Sequence, residues 1–142
     1  MTAVATDALA AALAGAWRLD AYVDVTDGLV EEGPLGPTPA GLLIYTGCGR
    51  VSVSMMRTDP GPPAPGGQVV RFMGYAGTWW LVGRHVVHQV DVASHDYLVG
   101  TRQVRDLALD GDLLTLSGQT PPGAGPPRRR VLTWRRATGG PR

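Results

Sequence analysis

Hydrophobic and polar residues alternate along most of this chain, the pattern of β-strands that bury one face. The first clear stretch, 17–25, places on one face Trp17, Leu19, Ala21, Val23 and Val25, and on the other Arg18, Asp20, Tyr22 and Asp24. We expect the second face, including both aspartates, to be solvated. Similar alternation between Gly, Pro and Asp turn signals predicts further strands over residues 41–46, 50–57, 72–82, 85–93, 97–109, 113–117 and 128–136.

Eight strands joined mostly by short turns predict one all-β domain over 1–142, an antiparallel up-and-down barrel occupying 15–136. Closure is favoured because it removes exposed strand edges. A short alanine-rich helix over 7–14, capped by Thr6 or Asp7, is expected to precede the barrel, and a frayed tail to follow it over 137–142. Segments rich in proline and glycine predict loops over 32–39, 58–67 and 119–127, the first crossing an end of the barrel.

Composition narrows the class of partner. The net charge of +1 over 142 residues gives no reason to expect a nucleic acid. No apolar run reaches the roughly 20 residues of a membrane helix, so no membrane partner is expected. The N-terminal stretch lacks the basic start of a signal peptide, which favours a cytoplasmic protein. A hydrophobic small molecule is the expected partner, and a homodimer is left open.

No cofactor or metal is expected. The single Cys48 lies in a Gly-Cys-Gly turn and excludes an internal disulfide and a cysteine metal cluster. His85 and His88 are three residues apart in a strand and therefore point to opposite faces, and His95 lies in a turn. A zinc site needs three or four converging ligands. The chain has no lysine, which excludes Schiff-base chemistry.

One predicted strand pair carries polar residues on an inward face. His88 shares its face with Val86, Val90 and Val92, and the neighbouring strand presents on one face Thr101, Gln103, Arg105, Leu107 and Leu109. We expect a polar wall facing an apolar cavity. The candidate catalytic residues on this wall are His88, Gln103 and Arg105. The candidate ligand-binding residues are Tyr45, Met56, Tyr75, Trp79, Tyr97 and Thr101. The alternative is a buried hydrogen-bonded network that only fixes the register of the barrel.

An ordered set of short motifs resembles the bacterial lipocalin-like domain family and covers most of 15–136. It comprises Gly15-Ala16-Trp17-Arg18-Leu19, Pro34-Leu35-Gly36-Pro37, and the stretches 41–46, 49–57, 75–79, 87–90, 100–105 and 111–116. The resemblance implies a small barrel with a ligand-sized interior, in which Trp17 plugs the closed end and Arg135 or Arg136 stacks on it.

The favoured function is a cofactor-free cyclase or isomerase acting on a hydrophobic, polyketide-like intermediate. The alternative is a carrier for an apolar metabolite. A third class is a barrel that exists to pair with another protein.

Overall fold

The computed structural model describes residues 3–61, 70–120 and 127–137. One helix, α1 (Ala3–Leu13), precedes the strands. The strands are β1 (Gly15–Thr26), β2 (Leu29–Glu32), β3 (Ala40–Tyr45), β4 (Arg50–Met56), β5 (Phe72–Val82), β6 (His85–Ala93), β7 (Arg102–Asp110), β8 (Leu113–Gln119) and β9 (Arg129–Arg136). Most of the predicted loops at 58–67 and 119–127, and of the tail at 137–142, lies outside the described residues.

Eight of these strands close into an antiparallel barrel. Each of β3 to β8 pairs with the strand that follows it in the chain, and β1 closes the ring by pairing with both β3 and β9. The short β2 pairs only with the end of β1 and extends it as a hairpin. The predicted all-β barrel with an N-terminal helix is confirmed. No helix in the described ranges is long and apolar enough to span a membrane.

Several element bounds differ from the prediction. The helix begins at Ala3, so neither Thr6 nor Asp7 caps it. The strand β2 was not predicted at all. The predicted strand 97–109 starts later, at Arg102, because Asp96–Leu98 forms a single 3-10 turn. The bounds of β5 and β6 agree with the prediction because a two-residue glycine turn separates two strongly alternating runs.

A β-bulge in β1 overturns the predicted faces of that strand. Leu19 pairs with Trp134, but Ala21 pairs with Thr133, so Asp20 is an extra residue in the ladder. One inserted residue moves every later side chain to the opposite face. Tyr22 and Asp24 are therefore buried, and the prediction that both aspartates are solvated is wrong for Asp24.

A second bulge changes the face of one valine in β6. Ala76 pairs with Val92 and Gly77 pairs with Val90, which leaves Asp91 as the extra residue. The prediction that Val92 shares the inward face is therefore wrong, and its side chain is largely exposed. Gly77 is required at this bulge, because a Cβ atom there would lie 1.7 Å from the carbonyl oxygen of Gln89.

One end of the barrel is closed by α1 and Trp17. The fully buried Trp17 ring donates its Nε1–H to the carbonyl oxygen of Leu13 at 2.9 Å. The Arg136 guanidinium stacks over the same ring, with its carbon 4.3 Å from the ring centre, and donates to the carbonyl oxygen of Ala12. The expectation that an arginine stacks on Trp17 is thus confirmed for Arg136. Because Arg136 also bonds Ala12, it links the helix to the barrel.

The loop between β2 and β3 packs onto the core through one side chain. Leu35 is fully buried, although the sequence pattern predicted only a crossing loop. The nearby Arg57 guanidinium is also buried, and it donates to the carboxylate of Asp59 at 2.7 Å and to the carbonyl oxygen of Pro34 at 3.1 Å. These hydrogen bonds anchor the loop to the chain that follows β4.

Candidate functional site

A buried histidine held between two tyrosines lies at the centre of the candidate site. Strand β6 directs His88 inward, where only 2% of its surface is exposed. Its Nε2 atom lies 2.6 Å from the Tyr45 hydroxyl oxygen, and its Nδ1 atom lies 2.6 Å from the Tyr75 hydroxyl oxygen. Both ring nitrogens are therefore engaged, and the ring orientation is fixed.

Neighbouring strands supply the aromatic surroundings of His88. Tyr45 ends β3, Tyr75 lies in β5, and Trp79 is the cross-strand partner of His88. The Tyr45 and Trp79 ring centres are 4.5 Å apart, and the Trp79 Nε1–H donates to the carbonyl oxygen of Thr46. The structure thus brings together His88 and three of the predicted ligand-binding side chains.

A chain of hydrogen bonds runs along the adjacent strand β7. Arg105 donates to the Gln103 side-chain oxygen at 2.9 Å, and Gln103 donates to the Thr101 hydroxyl at 2.8 Å. The Thr101 hydroxyl in turn donates to the carbonyl oxygen of Leu98. Gln103 is the cross-strand partner of His88, so the predicted residues of β6 and β7 lie side by side on the inner wall.

Arg105 is a half-buried cation without an acidic partner. Its other hydrogen bond goes to the carbonyl oxygen of Val104, and among the described residues no carboxylate forms an ion pair with it. Gly118 of β8 makes room for this side chain, because a Cβ atom there would lie 3.2 Å from the Arg105 Cδ atom. The inner wall therefore carries an uncompensated positive charge.

Burial and this charge determine the protonation of the site. Desolvation, with a smaller contribution from the Arg105 charge, lowers the pKa of His88 to about 3. Desolvation also raises the pKa of both tyrosines, Tyr45 and Tyr75, while the Arg105 charge opposes that rise. At neutral pH the imidazole is therefore neutral and both hydroxyls keep their protons.

Sequence reasoning missed a second polar group on the interior. Asp24 is 4% exposed and accepts a hydrogen bond from Arg130 Nε at 3.2 Å, with an Arg128 nitrogen 3.7 Å from its other oxygen. Desolvation raises the pKa of the adjacent buried Tyr22. Strict alternation places Asp24 and Tyr22 outside the barrel, and no local sequence signal marks the bulge that turns them inward.

Two predicted ligand-binding residues do not join the interior. Met56 lies on the outward face of β4 and is 49% exposed, because the neighbouring Met55 takes the inward position. Tyr97 is 69% exposed and packs against the His95 ring. We therefore leave both residues out of the candidate site.

The other histidines lie apart from His88. His85 pairs with Asp106 at 2.7 Å on the surface, and His95 Nδ1 lies 2.8 Å from the Ser94 hydroxyl. Within the described ranges, no three side chains of His, Cys, Asp or Glu cluster as metal ligands would.

The outer surface has depressions of its own. Two of them, with volumes of about 320 and 300 Å³, lie over the outer face of strands β3 to β6. Exposed side chains such as Ser52 and Val92 line both, and Tyr75 is among the residues of the second, whereas His88, Gln103 and Arg105 line neither. The polar wall is thus a feature of the barrel interior and is separate from these depressions.

A closed antiparallel barrel of eight strands with one end plugged by a tryptophan is the architecture of small up-and-down barrels. The chain belongs to the lipocalin-like domain family, whose family model matches residues 14–137. No curated protein and no solved structure matches the chain significantly. The fold of the family suggests the binding of a hydrophobic ligand.

Proposed function

We propose that the barrel interior binds a small, largely apolar metabolite through a carbonyl or acidic oxygen, and that it promotes cyclisation or isomerisation of that molecule without a cofactor. The observation that carries the proposal is Arg105, a half-buried cation on the inner wall with no carboxylate partner in the described part of the chain. Arginine is rarely withdrawn from water without a counter-charge.

The Arg105 guanidinium has the donors that a ligand oxygen needs. It carries five N–H groups, and the described contacts use one at Gln103 and one at the carbonyl oxygen of Val104. A ligand carbonyl bound by the remaining donors would be polarised, and an enolate formed from it would be stabilised by the positive charge. A polyketide-like intermediate has both the apolar surface and the carbonyl groups that this arrangement favours.

In this proposal the chemistry depends on electrostatics and on holding a reactive conformer. His88 is not the base, because a group with a pKa near 3 is a weak proton acceptor at neutral pH. It positions the two tyrosine hydroxyls. Gln103 positions Arg105 through the hydrogen bond between their side chains.

The competing function is a carrier that holds the same molecule unchanged, which the ligand-binding fold of the family favours. A cytoplasmic location and a homodimer remain predictions. Both functions require binding at Arg105, and they differ in whether the bound molecule reacts.

The test replaces Arg105 by methionine, with Arg102→Met as the matched control. Arg102 lies on the same strand but faces outward, where it bonds Gln89 and lies over the Trp80 ring. Two probes are used: prodan, a fluorescent naphthyl ketone, for affinity, and a linear phenyl triketone for turnover. The triketone cyclises to a pyranone when an enol oxygen attacks a carbonyl carbon and water leaves.

For an enzyme, Arg105→Met slows triketone cyclisation much more than it weakens binding, because the lost donor acts mainly on developing charge. For a carrier, wild type does not accelerate cyclisation and Arg105→Met weakens prodan binding alone. If Arg105→Met binds prodan as tightly as Arg102→Met and wild type do, the proposed role of Arg105 is excluded. A lower melting temperature with unchanged binding would identify a purely structural network.

A further inference from the structure

The hydrogen bonds of His88 restrict which tyrosine donates to it. A neutral imidazole has one N–H donor and one acceptor nitrogen. Because Tyr45 and Tyr75 each lie 2.6 Å from a different ring nitrogen, one hydroxyl must donate to His88 and the other must accept from it. The low pKa of His88 supports the neutral form on which this argument depends.

One hydroxyl proton is left without an acceptor among the residues that the structure describes. The tyrosine that accepts from His88 still carries its own O–H, and within the described ranges His88 is the only side-chain hydrogen-bond partner of either tyrosine. Tyr45 is 1% exposed and its ring packs on Trp79, whereas Tyr75 is only partly buried. A donor without an acceptor is least costly where it can reach solvent or a ligand.

This difference in burial favours one direction for the hydrogen bonds among the three side chains. In that arrangement Tyr45 donates its proton to Nε2 of His88, and the Nδ1–H of His88 donates to the Tyr75 oxygen. The Tyr75 proton is then the one that remains available. Its raised pKa keeps this hydroxyl protonated at neutral pH.

We infer that Tyr75 is the hydroxyl donor that the barrel presents to its ligand, and that the ligand carries an acceptor oxygen such as that of a ketone, ester or carboxylate. The inference rests on the proposed function of the same site and adds a specificity to it. Tyr45 and His88 are positioning residues, since the Tyr45 hydroxyl and both ring nitrogens of His88 are used within the Tyr45–His88–Tyr75 hydrogen-bond relay. Arg105 is the second donor on the same wall, and its charge acts on Tyr75 directly.

The first arm of the test needs no ligand. Long-range ¹H–¹⁵N correlation spectra of the ¹⁵N-labelled protein at neutral pH report which nitrogen of His88 carries the proton, with His88→Gln identifying the signals. We expect the Nδ1-protonated tautomer. An Nε2-protonated His88 would overturn the assignment of Tyr75, because Tyr45 would then hold the unpaired proton.

The second arm measures the preference for an acceptor oxygen. Prodan is compared with its analogue that has a methylene group in place of the carbonyl. Wild type is expected to bind the ketone at least about tenfold more tightly, since one hydrogen bond contributes up to about tenfold. Tyr75→Phe should lower this ratio severalfold, with Arg105 left as the remaining donor, and leave the affinity for the analogue unchanged, which also shows that the variant is folded.

Two further variants separate the roles of the tyrosines. Tyr45→Phe removes the donor to Nε2 that fixes the tautomer of His88, so it should weaken the preference without abolishing it. The exposed Tyr97→Phe is the control and should retain the full preference. A Tyr75→Phe protein that keeps the tenfold ratio would contradict the inference. If neither dye binds to wild type, the proposed function fails, whereas the tautomer readout still tests the direction of the relay.

Discussion

Replacing Asp24 by asparagine tests whether the bulge in β1 sets the interior of the barrel. Asp24 and Asp20 look alike in the sequence, because both fall on the polar face of the same alternating strand. In the structure, Asp24 is 4% exposed and contacts two arginines, whereas the Asp20 side chain is 49% exposed and forms one ion pair within the described residues, with Arg135 at 3.5 Å. The same chemical change is therefore made in two different environments.

The magnitude lies between two limits. Breaking a fully buried ion pair costs about 3–5 kcal/mol, and an exposed pair contributes at most about 1 kcal/mol. The partners of Asp24 are themselves partly solvated, with 33% of the Arg130 side chain and 49% of the Arg128 side chain exposed. Their charges can be hydrated when the carboxylate is lost, so we expect Asp24→Asn to lower the free energy of unfolding by about 2 kcal/mol. That change corresponds to a loss of about 6 °C in melting temperature.

Urea unfolding at neutral pH, followed by tryptophan fluorescence, measures both variants against wild type. Asp20→Asn is expected to cost less than about 0.5 kcal/mol, because its carboxylate and Arg135 are already hydrated. Equal losses for the two variants would refute the reasoning, since they would show that both carboxylates are solvated and that the strand alternates without interruption.

Two further perturbations test the interior histidine and the second bulge. Burial lowers the folded pKa of His88 to about 3, below its unfolded value of 6.5, so its contribution to stability is fully present above pH 6.5 and is lost as the pH falls toward 3. Wild type should therefore lose about 2 kcal/mol more than His88→Gln between pH 7 and pH 5 in urea titrations, and parallel losses would contradict the burial of a neutral ring. Gly77→Ala should cost at least about 3 kcal/mol, because its Cβ atom would lie 1.7 Å from the Gln89 oxygen, whereas Gly47→Ala, with no atom within 4 Å, should stay within about 0.5 kcal/mol. Similar melting temperatures for the two alanine variants would show that the bulge at Gly77 is not rigid.

Much of the candidate site could be predicted from period-two alternation. His88 among inward valines, and Gln103 and Arg105 on a face shared with Leu107, all lie on the inner wall as the pattern indicates. The prediction is correct there because β6 and β7 pair without a bulge over His85–Gln89. Inward and outward side chains therefore alternate without interruption along both strands. The hydrogen bonds of His88 to two tyrosines on other strands were not predicted. Alternation along one strand does not indicate which side chains of other strands it meets inside a barrel.

The sequence by itself determined the type of fold, because strand alternation and turn residues are local properties that survive in any closed antiparallel sheet. It also determined which side of β7 faces inward. Tertiary structure decided where alternation breaks, since the bulges at Asp20 and Asp91 are defined by how β1 pairs with β9 and how β5 pairs with β6. It thereby turned Asp24 inward and Val92 outward. Only closure could place Tyr45 and Tyr75 on opposite sides of one imidazole, because the contact depends on three strands that converge in space.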